Sequence, residues 1–311
     1  MWGTLKRKRL KDQKTSLKKH IMKTLKILCA ATTLLIAPYI SVATPSFAVW
    51  LDGDTSAQVG DGILNSLDNA FGPGTWTLVS DANLATAGFL NSFDTLIMSR
   101  QGAAFGVTSI SPTAAANIQA YVGSGATQGG VALFANDAKD NFFGSASGDP
   151  YDANLNQLFV NAATFAAASG HGFIGEFNGT VIALNTLGLL PGSASSVAGY
   201  GPQFTYDVGP IGAGNPIDAG VTFPFTDSDN STFLTTITGA DPNNIVDVFG
   251  PGVDAGGNII DRSIVGVPAV LANRYVIQGG SMPDAGSTLT LLGLAMSGLV
   301  GCGRYFQKRR A

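Results

Sequence analysis

The sequence is short of positive charge where a folded body would normally carry it. Ten of its 18 Lys and Arg residues fall in the first 26 positions and four more in the last eight. Only Arg100, Lys139, Arg262 and Arg274 lie between. The same interior holds nearly all of the 21 acidic residues, and Glu176 is the single Glu among them. A body so poor in cations has no electrostatic footprint for phosphate backbones or anionic lipid, which excludes a nucleic-acid partner. Basic sugars or divalent cations fit its charge better, although acidity also serves solubility. Cysteine is nearly absent: Cys29 and Cys302 each lie in an apolar terminal run. The body therefore has no disulfide, no thiol nucleophile and no Cys-based metal site. Histidine is equally sparse, and none follows His171. No cofactor is expected.

What is present points first to transport. With 311 residues, 45% of them apolar, and 40 Gly, the chain can build one large domain. Charged residues make up 13%, about half the globular average of roughly 25%. From Met22 the sequence reads MKTLKILCAATTLLIAPYISVATPSFAVW. Lys23 and Lys26 precede an apolar stretch, and Ser46-Phe47-Ala48 has the small-x-small form of a cleavage site. This is the pattern of a secretory signal peptide, with signal peptidase expected to cut between Ala48 and Val49. Residues 1–48 then form the leader, with an extended basic region ahead of Met22; translation starts at Met1 or at Met22.

The last 30 residues carry a second address. MPDAGSTLTLLGLAMSGLVGCGRYFQKRRA joins a short polar motif to an apolar run over 287–303 and a basic end. The run is marginal for the ~20 residues of a full span, and the trailing cations would stay on the cytoplasmic side. This tail resembles the PEP-CTERM class of bacterial sorting signals, in its VPDSG variant. Pro283, Asp284, Gly286, Ser287 and Thr288 match, whereas Met282 replaces Val and Ala285 replaces Ser. The resemblance implies transient insertion in the inner membrane of a Gram-negative bacterium and processing by an exosortase-type enzyme. It further implies release to the outer surface or an exopolysaccharide matrix.

The body, residues 49–280, alternates strand and helix signals. AVWLD, TWTLVSD, DTLIMSR, GGVALFAND and GFIGEF read as strands. VGDGILNSLDNAF, NLATAGFLNSF, SPTAAANIQAYVGSG, DANLNQLFVNAATFAAASG and GTVIALNTLGLL read as helices. Continuous apolar strands between helices predict an α/β fold, a mostly parallel sheet sandwiched by helices. From about 192 the texture becomes β-rich, with QFTYDV, GVTFPF, TFLTTIT, NIVDVF, SIVGVPAVLA and RYVIQG. These pieces should complete the sheet and add an antiparallel edge or a small β excursion. The sorting tail, 281–311, contributes a C-terminal apolar helix.

One interior stretch has the form of a chemical site. GHGFIGEFNGTVIALNTLGLLPG runs from a strand through Gly175-Glu176-Phe177-Asn178-Gly179 into a helix. Strand, tight turn and helix make a nucleophile elbow. The body resembles class I glutamine amidotransferase-like domains of flavodoxin-like type, in which a Cys occupies the centre of this turn. Asn215-Pro216-Ile217 resembles the His-Pro-Ile of ThuA-like domains. Here Phe177 stands at the Cys position and Asn215 at the His position, so the resemblance implies a body without amidotransferase chemistry. Glu176 and His171 lie near the turn and are the weak candidates for acid–base work. A Glu is also favoured at a helix start by the helix dipole alone, and a lone His is commonly a hydrogen-bonded surface residue. DSDNST at 227–232 alternates oxygen ligands but lacks the Gly and Glu of a calcium loop. Trp50 and Trp76 would stack on sugars if exposed and belong to the core if their strands are buried.

Together these features point to an exported surface or matrix protein whose body is a non-catalytic binding or structural module. The competing expectation is an envelope hydrolase using Glu176 and an Asp on polysaccharide or peptide.

Overall fold

The computed structural model describes residues 44–51, 60–100, 110–136, 152–197, 204–226, 234–251 and 262–273. Most of the expected leader and the whole expected sorting tail, including the apolar run 287–303 and Met282–Gly286, lie outside the described residues. Among the described residues no helix is long and apolar enough to cross a membrane.

Five parallel strands form the centre: β1 (Phe47–Trp50), β2 (Trp76–Val79), β3 (Thr95–Arg100), β4 (Val131–Phe134) and β5 (Gly172–Phe177). Their spatial order is β2-β1-β3-β5-β4. Every residue of β1, β4 and β5 is buried. That explains apolar runs without alternation, since both faces of the sheet are covered.

The helices follow from the connections. They are α1 (Asn65–Phe71, entered through a π-helical turn at Gly60–Leu64), α2 (Asp81–Leu84), α3 (Pro112–Val122) and α4 (Ala153–Ala167). Crossings from β1 to β2 and from β4 to β5 run one way across the sheet; those from β2 to β3 and from β3 to β4 run the other. Right-handed crossovers then place α1 and α4 on one face and α2 and α3 on the opposite one. Hydrogen bonds match this pairing: Ser66 Oγ reaches Asn156 Oδ1 at 2.9 Å, and Asn117 Nδ2 reaches the Leu84 carbonyl at 2.9 Å.

Local signals set the helix ends. Ser111 caps α3 by accepting from Ala114 N, Pro112 occupies its first turn, and Gly123 at φ 74° ends it. Asp152 caps α4 through Leu155 N at 2.9 Å. Leu155, Leu158, Phe159, Ala162 and Ala166 make the buried stripe of α4. Its last turn lies directly on the sheet because β5 begins with Gly172, where a β-carbon would run into the Ala166 carbonyl.

The second half adds β6 (Ser193–Val197), β7 (Thr205–Val208), β8 (Phe225–Thr226), β9 (Leu234–Thr238), β10 (Ile245–Phe249) and β11 (Pro268–Ala272). β11 joins β4 antiparallel, and β10, β7 and β8 continue outward to complete a nine-stranded mixed sheet. β6 and β9 form a separate antiparallel pair. Both the extended edge and the small excursion are therefore present. Of GVTFPF only Phe225 enters a strand, as the first residue of the two-residue β8; Pro224 before it has no N–H to give a ladder. RYVIQG lies outside the described residues.

Candidate functional site

β5 passes into a short helix, α5 (Asn178–Val181), through one abnormal residue. Phe177 has φ 44° and ψ −107°, the only positive φ of a non-glycine among the described residues. Such a conformation costs on the order of 1–3 kcal/mol and must be held by its surroundings. The holding is visible. A β-carbon at Gly175 would lie 2.9 Å from the Gly179 carbonyl carbon, and one at Gly179 would fall on the Met98 carbonyl. Thr180 Oγ1 donates to the carbonyls of Phe134 (2.6 Å) and Gly175 (3.0 Å). Thr235 Oγ1, from β9, donates to the Phe177 carbonyl at 3.1 Å. The strained position thus carries a hydrocarbon ring, 2% exposed.

Behind the elbow, one row of side chains crosses the sheet. Ser99 on β3, Glu176 on β5, Phe134 on β4 and Val270 on β11 are successive register partners, and Asp247 on β10 pairs with Val270 where the β10–β11 register is irregular. Register partners share a face, and Phe134 meets Phe159 of α4 with ring centroids 6.2 Å apart. The row therefore points under α4. Ser99, Glu176 and Asp247 are all fully buried. Glu176 belongs to the strand and not to a solvated helix start. Just beyond Phe134, buried Asn136 accepts from Tyr206 Oη at 2.6 Å.

His171 is elsewhere. It precedes β5 at the amino end of the sheet, Nε2 3.0 Å from the Thr127 carbonyl and the ring edge-on to Tyr121. Five strand residues put it roughly 16 Å from Glu176. The expectation that both lie near the turn is corrected: an extended strand keeps them at opposite ends. Asn215 caps the 3-10 turn Pro216–Asp218, its Oδ1 accepting from Ile217 N at 3.0 Å. Asn161 of α4 fastens that turn, donating to the carbonyls of Ile217 and Ala219 at 2.7 Å each.

The same turn brings in an acidic pair that sequence reasoning missed. Asp218 and Asp247 influence each other's ionisation, and both carboxyl groups are buried without a hydrogen-bond partner among the described residues. Desolvation pushes Asp218 up to about 7. Burial, then Asp218, then Asp207 on neighbouring β7 push Asp247 well above the usual carboxylate range. Its one sequence signal is an Asp interrupting the apolar run NIVDVF.

The tryptophans are tied to carboxylates. Buried Trp50 donates to Asp81 Oδ1 at 2.7 Å, and part-buried Trp76 to Asp68 Oδ1 at 2.8 Å. Among the described residues no group of three or more His, Cys, Asp or Glu could hold a metal ion. The 227–232 stretch lies outside the described residues. No family model, no curated protein and no solved structure matches the chain.

Proposed function

We propose that the chain is an exported bacterial protein, sorted by its tail to the cell surface or extracellular matrix, whose amidotransferase-like body acts as a binding or structural module. The observation that carries this reading is Phe177. An elbow conformation that amidotransferase-like domains use to present a nucleophile here presents a buried ring with no heteroatom. Signal peptidase and an exosortase-type enzyme are the processing partners, and exopolysaccharide is the proposed ligand. The tail's motif, apolar run and basic end support passage through the inner membrane and then outward.

A second reading keeps Glu176 as an acid–base group, because it sits fully buried near the carboxyl edge of a parallel sheet, where α/β sites form. Asp247 is a poor second carboxyl for it. Three strand spacings separate them by roughly 14 Å, beyond the ~6.5–9.5 Å of paired glycosidase carboxylates. Phe134 and Val270 also fill the row between them.

The experiment is co-sedimentation of the mature protein with exopolysaccharide from its own host, with polysaccharide and peptide hydrolysis assayed alongside. Saturable retention without turnover, equal in wild type and E176Q, is expected. Turnover lost in E176Q would replace the module by the hydrolase.

A further inference from the structure

We propose that the leader is cut after Ala43, so that the mature chain begins at Thr44. This rests on the export reading. Two small-x-small sites follow the apolar stretch, Ser41-Val42-Ala43 and Ser46-Phe47-Ala48. Sequence form alone does not separate them; the fold does.

Phe47, Ala48, Val49 and Trp50 make up β1, and all four are 0% exposed. β1 is an inner strand, paired along its length to β2 on one side and β3 on the other. β2 lies at one edge of the sheet, and among the described residues β1 is its only neighbour. A cut between Ala48 and Val49 removes half of β1. It takes away the Phe47 ring, which packs on Phe71 at 5.1 Å, and the Phe47 N–H bond to the Thr75 carbonyl at 2.8 Å.

It also removes the clamp that leads into β1. Ser46 N and Oγ both donate to Asp94 Oδ2, at 2.8 and 2.9 Å. In return Asp94 N donates to the Ser46 carbonyl at 2.9 Å. These contacts fix where β1 and β3 start relative to each other.

The new terminus matters most. Cleavage creates an α-ammonium group. At Val49 that charge would sit at a fully buried position between two strands, where an unpaired cation is strongly disfavoured. At Thr44 it would sit on an exposed residue. A cut after Ala43 separates the leader from an intact body.

The test is N-terminal sequencing and intact mass of the full chain expressed in a Gram-negative host and recovered from the envelope. A mature chain starting at Thr44 is expected. A chain starting at Val49 would overturn the assignment while leaving export standing. A chain still carrying its leader would overturn export and the assignment together. As a second measurement, chains started at Thr44 and at Val49 are made directly and melted. The first should unfold cooperatively. The second should show no cooperative transition, or one at least about 10 °C lower. Equal melting would contradict the argument from β1.

Discussion

Gly179 lies so close to the carbonyl of Met98 that a β-carbon on it would occupy the place of that oxygen. The elbow after β5 is therefore packed against the backbone of β3, and a backbone carbonyl in a central strand has nowhere to go. Gly179→Ala should destabilise the body by about 3 kcal/mol, at the upper end of ordinary overpacking costs. Urea unfolding should show a lower midpoint with an unchanged slope.

Phe177 allows a comparison in which glycine outperforms alanine. Phe177→Ala loses a buried ring, a change that typically costs about 3–5 kcal/mol, and keeps a side chain at φ 44°. Phe177→Gly loses the same ring but releases the backbone strain. The Gly variant should be the more stable of the two by about 1 kcal/mol, measured by urea unfolding at a common pH. Equal stability would mean that the positive-φ conformation of Phe177 is not strained in this chain.

Thr180 ties the elbow to β4 and β5 with one hydroxyl. Thr180→Val keeps the shape and removes the donor. It should cost about 1–3 kcal/mol, because two buried carbonyls lose a partner. Thr180→Ser, which keeps the hydroxyl, should recover most of that loss.

Asp218 and Asp247 set a pH dependence whose sign is opposite to that of an ion-paired carboxylate. Asp218 titrates at about 7 in the fold against an ordinary 3.8. Between these values the unfolded chain has lost a proton that the native state keeps. The native state binds more protons there, so stability falls as pH rises. Asp247, raised well above its ordinary range, adds in the same direction. Asp247→Asn removes one carboxyl and its repulsion of the other. Its stability curve should be flatter, and it should gain on wild type between pH 5 and pH 8 in urea titrations. A variant that instead loses ground as pH rises would show that Asp247 is paired as an anion.

Much of the fold was legible in the sequence because its signals are local. Ser111-Pro112 and Gly123 bracket α3, the stripe from Leu155 to Ala166 reads as a helix face, and the unbroken apolar runs of β1 and β4 announce strands covered on both sides. The glycine spacing around Phe177 likewise exposed the elbow. What stayed hidden depends on pairing. β6, Ser193–Val197, has no apolar alternation and becomes a strand through its ladder with β9. The six residues of extended β5 separate His171 from the elbow, and the position of β5 between β3 and β4 is encoded by no periodicity. Asp218 and Asp247 lie far apart in sequence, and the turn that carries Asp218 is held to α4 by Asn161, a contact no local pattern announces.

The most direct test of the account is the carboxyl-terminal mass of the mature protein recovered from the cell surface of its own host. The account predicts a chain that ends near Pro283-Asp284-Ala285-Gly286, with the apolar run and basic end removed. A surface-recovered chain that still ends at Ala311 would contradict it, because the tail would then be a lasting anchor and not a sorting signal.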